Sequence, residues 1–283
     1  ATGLVVMGFG FGALLMATLA APWLHALAAA GATDERSALA RVFAGLGLGF
    51  LVLGPALGAC LRLPPAAPAA VATTTMGWTA LRSRGFVLLW LLFFGNIAAG
   101  IALIGFQSPL LQELWRRREP ELGPAELAGL GAGLIAASAL ANGCGRLLWG
   151  GVGDLLGRVR TFRLLLALQV AAFAALAATA DPRLFAALVC LVLLGYGGGF
   201  GVMPGAVLDA FGAARMPAMY GAVLTAWSAA GLAGPLLTAV ISDRWPEHAG
   251  RGAALLGLAF AALGLLAALA LRPAPPAPAA DGR

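Results

Sequence analysis

The sequence predicts an all-α integral membrane protein. Of its 283 residues, 61% are hydrophobic and only 11% are charged, whereas a soluble domain carries roughly 25% charged residues. So few polar residues cannot cover the surface of a soluble globule. The apolar residues also form long uninterrupted runs, not the alternating segments of about ten residues that a membrane β-barrel requires. The chain is therefore expected to cross the bilayer as helices.

Eight apolar runs are long enough to span about 30 Å of hydrocarbon, which takes about 20 helical residues. They cover approximately residues 3–24, 41–61, 86–112, 125–149, 162–180, 184–208, 217–241 and 252–271. The polar, Pro/Ala-rich stretch between the second and third runs reads as a linker. The predicted layout is two spans, a linker, six spans and a tail, over residues 1–61, 62–85, 86–272 and 273–283.

The arginines indicate which way the chain crosses the membrane. The net charge of +6 comes from 18 arginines and no lysine, and these lie between the apolar runs. Segments on the side of the 62–85 linker hold ten arginines, and the opposite segments hold eight. The positive-inside rule assigns the richer side to the cytoplasm, so both ends of the chain are expected there. This pattern indicates topology and not nucleic-acid binding, and the absence of lysine favours a GC-rich bacterial genome and hence a bacterial inner membrane.

Polar residues at membrane depth are the candidate binding residues, because they are costly in lipid and tend to face a cavity or a partner. Ser138, Asn142 and Arg146 are spaced by four and share one helical face. A guanidinium can bind both oxygens of a carboxylate, so Arg146 is the candidate anion-binding residue. Snorkelling of Arg146 to the cytoplasmic face is the structural alternative.

Four more polar or aromatic side chains fall within predicted spans. The third span carries Asn96 and Gln107 on one face, the sixth carries Tyr196 and the seventh carries Trp227. They could shape a binding pocket around Arg146. Interhelical hydrogen bonding is the alternative for Asn96, Gln107 and Tyr196.

No pattern of residues indicates a catalytic, cofactor or metal centre. The twelve acidic residues lie in loops or at span ends, and the two histidines lie in predicted loops without neighbouring ligands. Cys60, Cys144 and Cys190 lack metal-ligand spacing and are expected to be buried packing residues. We therefore expect neither an enzyme nor a bound cofactor. Glycines four apart predict close helix packing at five pairs: 8 and 12, 45 and 49, 54 and 58, 129 and 133, and 197 and 201.

The segment GGVGDLLGRVR, residues 150–160, resembles the cytoplasmic loop motif of the major facilitator superfamily, G-x-x-x-D-[RK]-x-G-[RK]-[RK]. Leu155 stands where the family usually has a base. The matching residues are Gly150, Asp154, Gly157 and Arg158, with the second terminal base displaced to Arg160. The resemblance implies a gating loop in which Asp154 pairs with an arginine across the interface of two helical halves in one state of the gate.

Three further segments resemble the oxalate/formate antiporter family within that superfamily. They are TGLVVMGFGFGALL (2–15), GYGGGFGVMPGAVLDAFG (195–212) and MYGAVLTAWSAAGLAGP (219–235). The resemblance implies a twelve-helix fold of two six-helix halves, of which this chain supplies helices five to twelve. On that alignment residues 1–61 end the first half, residues 86–272 form the second half, and four helices are expected before Ala1.

The resemblance also implies a function: secondary transport of small organic anions by alternating access. In oxalate exchangers two cations flank the dianion, and Arg146 matches the first while Trp227 stands at the second. One cation suits a monocarboxylate such as formate, lactate or pyruvate. Since no carboxylate lies inside a predicted span, exchange or facilitated transport is favoured over proton symport.

The expected substrate-binding residues are Arg146, Asn142, Gln107, Tyr196 and Trp227. The expected partners are the anion and the lipid bilayer, with no nucleic acid and with the protein acting as a monomer. The alternatives are a membrane-embedded sensor that does not transport, or a remnant of a transporter.

Overall fold

A computed structural model describes residues 8, 11–12, 16–29, 35–61 and 78–272, and every regular element in those ranges is helical. A π-helical turn, Met16–Ala20, leads into the first helix, and a single helical turn, Trp78–Leu81, precedes the third. The helices are α1 (Ala21–Ala29), α2 (Glu35–Cys60), α3 (Arg84–Ile104), α4 (Gln107–Arg118), α5 (Pro124–Leu156), α6 (Arg158–Ala178), α7 (Pro182–Phe211), α8 (Met216–Arg244) and α9 (Ala249–Ala270).

Seven helices in the described part of the chain are long and apolar enough to cross a membrane. They are α2, α3, α5, α6, α7, α8 and α9, and they match seven of the eight predicted spans to within several residues. The remaining predicted span, residues 3–24, lies only partly within the described residues, where residues 16–24 form the π-helical turn and the start of α1. The all-helical membrane fold class is confirmed.

The prediction of one continuous helix over 86–112 is wrong, because the chain forms two helices there, α3 and α4. The first ends at Ile104, and the Phe106 N–H donates to the Leu103 carbonyl (3.1 Å), which tightens the chain into a turn before α4 begins. Pro109 explains the break: it has no N–H to continue the ladder, and its ring excludes the carbonyl four residues earlier. Helix α4 then continues to Arg118, six residues beyond the predicted end of this span at residue 112.

Helix ends are fixed by local chemistry that the sequence carries. The Asp181 carboxylate accepts hydrogen bonds from the N–H groups of Arg183 (2.8 Å) and Leu184 (3.0 Å), which caps α7. At the opposite end of the bundle, Gly157 and Gly212 terminate α5 and α7 with φ of +82° and +74°, a left-handed conformation that favours glycine. These ends are referred to below as the Asp181 end and the Asp154 end.

The described helices group into two compact units. One, residues 12–74, contains α1 and α2; the other contains the helices from Trp78 onward. Within the second unit α7 packs against α5 and α6, α3 packs against α8 and α9, and α6 packs against α9. The division into half-domains and linker stays a prediction.

Glycines let α5 and α7 approach until their backbones touch. A Cβ at Gly197 or Gly201 would overlap the carbonyl oxygen of Asn142 or Arg146, and one at Gly145 would overlap that of Leu194. The packing role predicted for Gly197 and Gly201 is confirmed.

Three other glycine pairs do not pack as predicted. Nothing among the described residues lies within 4 Å of a Cβ added at Gly8, Gly12, Gly54, Gly58, Gly129 or Gly133. Spacing by four therefore marks a contact only where a second helix presents its backbone to the same face.

The cysteine prediction is also wrong. Cys60 and Cys144 are exposed and Cys190 is half-buried. All three lie on apolar helices, where a small apolar side chain is accommodated on the surface as readily as in the core because lipid, and not water, covers it.

Two arginines cap the final helix. The Arg163 guanidinium donates to the carbonyls of Ala268 (3.0 Å) and Leu271 (2.6 Å), and Arg84 donates to that of Ala270 (3.4 Å). The last carbonyls of a helix have no partner within it, so these bonds fix the end of α9 to α6 and α3.

Replacing Arg163 with glutamine is expected to lower the unfolding free energy by about 1.5 kcal/mol, the value of hydrogen bonds to a charged group. Thermal unfolding of the detergent-solubilised protein measures this. Arg251→Gln, an exposed arginine at the start of the same helix, should leave the midpoint unchanged. Equal shifts for the two variants would contradict the capping role.

Candidate functional site

Arg146 is buried in the unit that begins at Trp78, about two-thirds of the way along α5. Its side chain is only 1% exposed, and it lies ten residues before the end of α5, about 15 Å along the helix. Phe200 lies eleven residues before the end of α7, and Trp227 eleven residues after the start of α8. These three side chains therefore lie at about the same height, roughly 15 Å from the Asp154 end of the bundle.

Aromatic rings surround the guanidinium. The Cζ of Arg146 lies 4.7 Å from the ring centroid of Phe200, a cation–π geometry. Phe200 in turn makes edge-to-face contacts with Tyr196 (5.5 Å), Trp227 (5.3 Å) and Phe93 (5.2 Å). Helices α3, α7 and α8 thus each contribute a ring to one cluster beside Arg146. A cation held in so apolar a setting is poorly hydrated and binds an anion more strongly than it would in water.

Tyr196 and Asn142 are positioned by glycines on neighbouring helices. The Tyr196 ring fills the space over Gly100 of α3, where a Cβ would overlap it. Asn142 is half-buried, packs against Gly197, and its Oδ1 has no hydrogen-bond partner among the described residues. It lies one turn from Arg146 towards the Asp181 end. The structure thus brings Arg146, Tyr196 and Trp227 together through Phe200, with Asn142 adjacent.

Gln107 lies apart from this group. It begins α4, beyond the break that follows α3, close to the Asp181 end. The side chain is 3% exposed and donates from Nε2 to the Ile104 carbonyl (3.2 Å), while its Oε1 has no hydrogen-bond partner in the described residues. Sequence spacing placed it on the face of Asn96, and the helix break separates the two.

Asn96 takes part in a buried amide network. Its Nδ2 donates to Gln169 Oε1 (3.1 Å) and to the Gly195 carbonyl (3.2 Å), and Gln169 Nε2 donates to the Val192 carbonyl (3.2 Å). Three helices, α3, α6 and α7, are joined in this way at membrane depth. The interhelical hydrogen bonding considered for Asn96 is confirmed.

The loop motif at the Asp154 end forms a charge cluster. Arg158 Nη2 donates to Asp154 Oδ1 (2.7 Å), and Arg158 Nε lies 3.8 Å from Asp209 Oδ2 on α7. Gly157 provides the left-handed turn between α5 and α6. Gly150 is half-buried and Arg160 is exposed. Asp154 thus pairs within its own unit here, and its pairing across two halves stays a prediction.

Sequence reasoning missed Phe200 and Tyr220 near Arg146. Tyr220 lies on α8 two turns before Trp227. Its phenol, like that of Tyr196, interacts electrostatically with Arg146. The signal for Phe200 was its spacing of four from Tyr196, and for Tyr220 its spacing of seven from Trp227, which places each pair on one helical face.

The comparisons with known proteins agree with this architecture. The sequence profile of the Major Facilitator Superfamily matches residues 119–283, which is more than half of the chain. The chain belongs to the Major Facilitator Superfamily. The segment matched includes the charge cluster at the Asp154 end, Arg146 and the aromatic rings of α7 and α8.

This superfamily member also resembles a curated protein. It is 26% identical over 257 residues to the oxalate:formate antiporter of Oxalobacter formigenes, an alignment that covers 87% of this chain and 56% of the relative. The chain therefore spans about half the length of the curated relative it matches. The predicted likeness to the oxalate/formate antiporter family is confirmed.

Seven membrane-length helices and superfamily membership together make this an integral membrane protein of a transporter family. The superfamily match and the antiporter relative both point to a transporter and away from an enzyme.

Proposed function

We propose that the complete protein is a secondary transporter that moves small organic anions across the membrane by alternating access, with Arg146 as the substrate's counter-ion. The observation that carries this proposal is a guanidinium, 1% exposed, about two-thirds of the way along α5 and beside a cluster of aromatic rings. Transporters of this architecture bind substrate near the bilayer midplane between two helical halves. A planar guanidinium binds both oxygens of a carboxylate.

The preferred substrates are monocarboxylates such as formate, lactate or pyruvate. The Phe200 ring contacts both Arg146 and Trp227, and the resemblance implies a second cation at the position of Trp227 in oxalate exchangers. The single cation balances one carboxylate, and the indole can pack against the small apolar part of the substrate. A dianion would leave its second negative charge uncompensated in an apolar setting. Exchange or facilitated transport is favoured over proton symport.

The remaining parts follow from the same scheme. Asn142 and Tyr196 shape the pocket beside Arg146, and Gln107 contacts the substrate path nearer the Asp181 end. The charge cluster of Asp154, Arg158 and Asp209 acts as the gate at the Asp154 end. The protein works as a monomer in a bacterial inner membrane with the Asp154 end in the cytoplasm, and residues 1–61 and 86–272 belong to different halves.

Counterflow in proteoliposomes tests the proposal. The complete gene product is reconstituted, vesicles are loaded with unlabelled formate, lactate, pyruvate or oxalate, and entry of the labelled acid is followed. Transient accumulation of one monocarboxylate above the level in protein-free vesicles is expected. No accumulation of any acid by a protein with an intact unfolding transition would contradict the proposal.

Trp227→Lys is expected to change the selectivity of uptake. A second cation within reach of Arg146 favours a dianion by Coulomb attraction, about 4 kcal/mol for a pair at 4 Å in partly shielded surroundings, less the cost of burying the lysine. Oxalate counterflow should therefore rise at least about tenfold relative to that of the monocarboxylate. Trp227→Phe, which changes the ring but not the charge, is the control and should leave the ratio unchanged. An unchanged ratio in Trp227→Lys would remove residue 227 from the site.

A further inference from the structure

A cavity opens between α4, α5 and α7 near the Asp181 end, away from Arg146. Its volume is about 770 Å³, and its lining is mostly apolar. The walls include Leu111 and Trp115 from α4, Leu130 and Leu134 from α5, and Ala186 from α7. The cavity belongs neither to the aromatic cluster beside Arg146 nor to the charge cluster at the Asp154 end.

Small residues on two facing helices hold the cavity open. Gly129, Gly133 and Ala137 line it from α5, and Ala186 and Ala187 line it from α7. Small residues usually let membrane helices close together, as Gly145 and Gly201 do further along the same two helices. At Gly129 and Gly133, however, nothing lies within 4 Å of an added Cβ. The space left between the helices is shaped for a slender apolar chain.

Two opposite charges border the cavity. Arg183 lies with its Cζ 5.9 Å from the ring of Trp115, and Glu126 accepts a hydrogen bond from the Gly123 N–H (2.9 Å). Neither Arg183 nor Glu126 takes part in an ion pair among residues 78–272. The nearby arginines Arg116 and Arg117 both pair with Glu113. An arginine stacked on a tryptophan where a span begins is typical of the headgroup level of a bilayer.

A third ion pair fixes the wall. Arg118 at the end of α4 pairs with Asp181, the cap of α7, and the Leu184 N–H and Arg118 hold the pKa of that carboxyl below its usual range. The cap therefore stays ionised at neutral pH, so α4 is tied to α7 beside Trp115. The cavity is consequently bounded on this side by two helices held together, and Leu122 of the loop between α4 and α5 also lines it.

We propose that this cavity binds one zwitterionic phospholipid with a primary amine in its headgroup, of the phosphatidylethanolamine type. An acyl chain occupies the space over Gly129 and Gly133. The phosphate pairs with Arg183, and the ammonium pairs with Glu126. The charges at the rim match the two charges of this headgroup, whereas an anionic headgroup would leave Glu126 facing like charge. This site is independent of the transport function proposed above.

Native mass spectrometry of the complete protein, delipidated and titrated with phosphatidylethanolamine or phosphatidylglycerol of matched chains, tests the proposal. The wild type should retain one phosphatidylethanolamine in preference to phosphatidylglycerol. Arg183→Gln should reduce that occupancy about fivefold, the effect of one basic residue on lipid binding. Arg244→Gln, an exposed arginine at the same end of the bundle, should not.

Filling the cavity provides the second arm. At Gly133 nothing lies within 4 Å of an added Cβ, so Gly133→Leu extends a side chain into the cavity. Gly151→Leu makes the same exchange at another open, exposed position of α5 outside the cavity. Gly133→Leu should abolish retention of the lipid, and Gly151→Leu should leave it intact. Equal occupancy in Gly133→Leu and wild type, or a preference for phosphatidylglycerol, would overturn the proposal. So would failure of the wild type to retain any lipid.

Discussion

Replacing Arg146 with glutamine is expected to lower carboxylate uptake at least about 100-fold. Breaking a buried ion pair by removing one partner costs 3–5 kcal/mol, roughly, because the other charge is left without compensation, and each 1.4 kcal/mol is about tenfold in binding. Glutamine keeps much of the length of the side chain and its packing against Phe200 but loses the charge. The measurement is initial counterflow rate at matched amounts of reconstituted protein.

The lysine variant separates charge from geometry. Arg146→Lys keeps a cation but loses the planar fork that binds two carboxylate oxygens, so its uptake should lie between those of the wild type and the glutamine variant. Arg251→Gln, an exposed arginine at the start of α9, is the control and should transport normally. Wild-type uptake in Arg146→Gln would show that Arg146 has a purely structural role.

Gly145→Ala is expected to destabilise the helical unit by about 2 kcal/mol or more. The added Cβ would overlap the Leu194 carbonyl of α7, and a backbone group cannot rotate away as a side chain does. Overpacking of this kind typically costs about 1–3 kcal/mol even where side chains can adjust. Because α5 and α7 carry Arg146 and Phe200, the same change should also disturb the candidate site. Thermal unfolding in detergent measures the first effect.

Gly151→Ala on the same helix is the matched control, and the opposite sign is expected. Nothing lies within 4 Å of its added Cβ, so only helix propensity changes, and alanine is favoured over glycine by about 1 kcal/mol. A higher unfolding midpoint for Gly151→Ala with a lower one for Gly145→Ala would support the packing described. Equal midpoints would mean that α5 and α7 do not approach as closely as described.

The spans could be predicted from the sequence because the bilayer imposes one strong rule. A helix that crosses hydrocarbon must be apolar over about 20 residues, and α3 and α5 to α9 satisfy this plainly. The break after Ile104 does not interrupt the apolar run, because proline is itself apolar. Hydropathy alone therefore predicts one span where Pro109 divides the chain into two helices. Cysteine burial was misjudged for a related reason, since an apolar residue in a membrane protein can face lipid as readily as the core.

The candidate site was only partly predictable. Arg146 stands out in a sequence because charge at membrane depth is rare, and the loop motif with Asp154 and Arg158 is a local pattern. Gln169 could not be recognised, because its role depends on which helices meet. Phe200 left only one signal, its spacing of four from Tyr196, which does not show that it contacts Arg146. Gln107 shows the opposite case. Its spacing from Asn96 predicts a shared helical face, but the helix is interrupted between the two residues.

The central claim is that the Arg146 guanidinium binds the substrate's carboxylate. The most direct test is binding to the purified complete protein, measured by titration calorimetry, for pyruvate and for its uncharged amide, pyruvamide, or for the corresponding pair of whichever acid counterflow identifies. The wild type is expected to bind the acid at least about 100-fold more tightly than the amide, and Arg146→Gln is expected to lose this preference with its unfolding midpoint preserved. Equal affinity of the wild type and Arg146→Gln for the acid would contradict a role of Arg146 in binding the carboxylate.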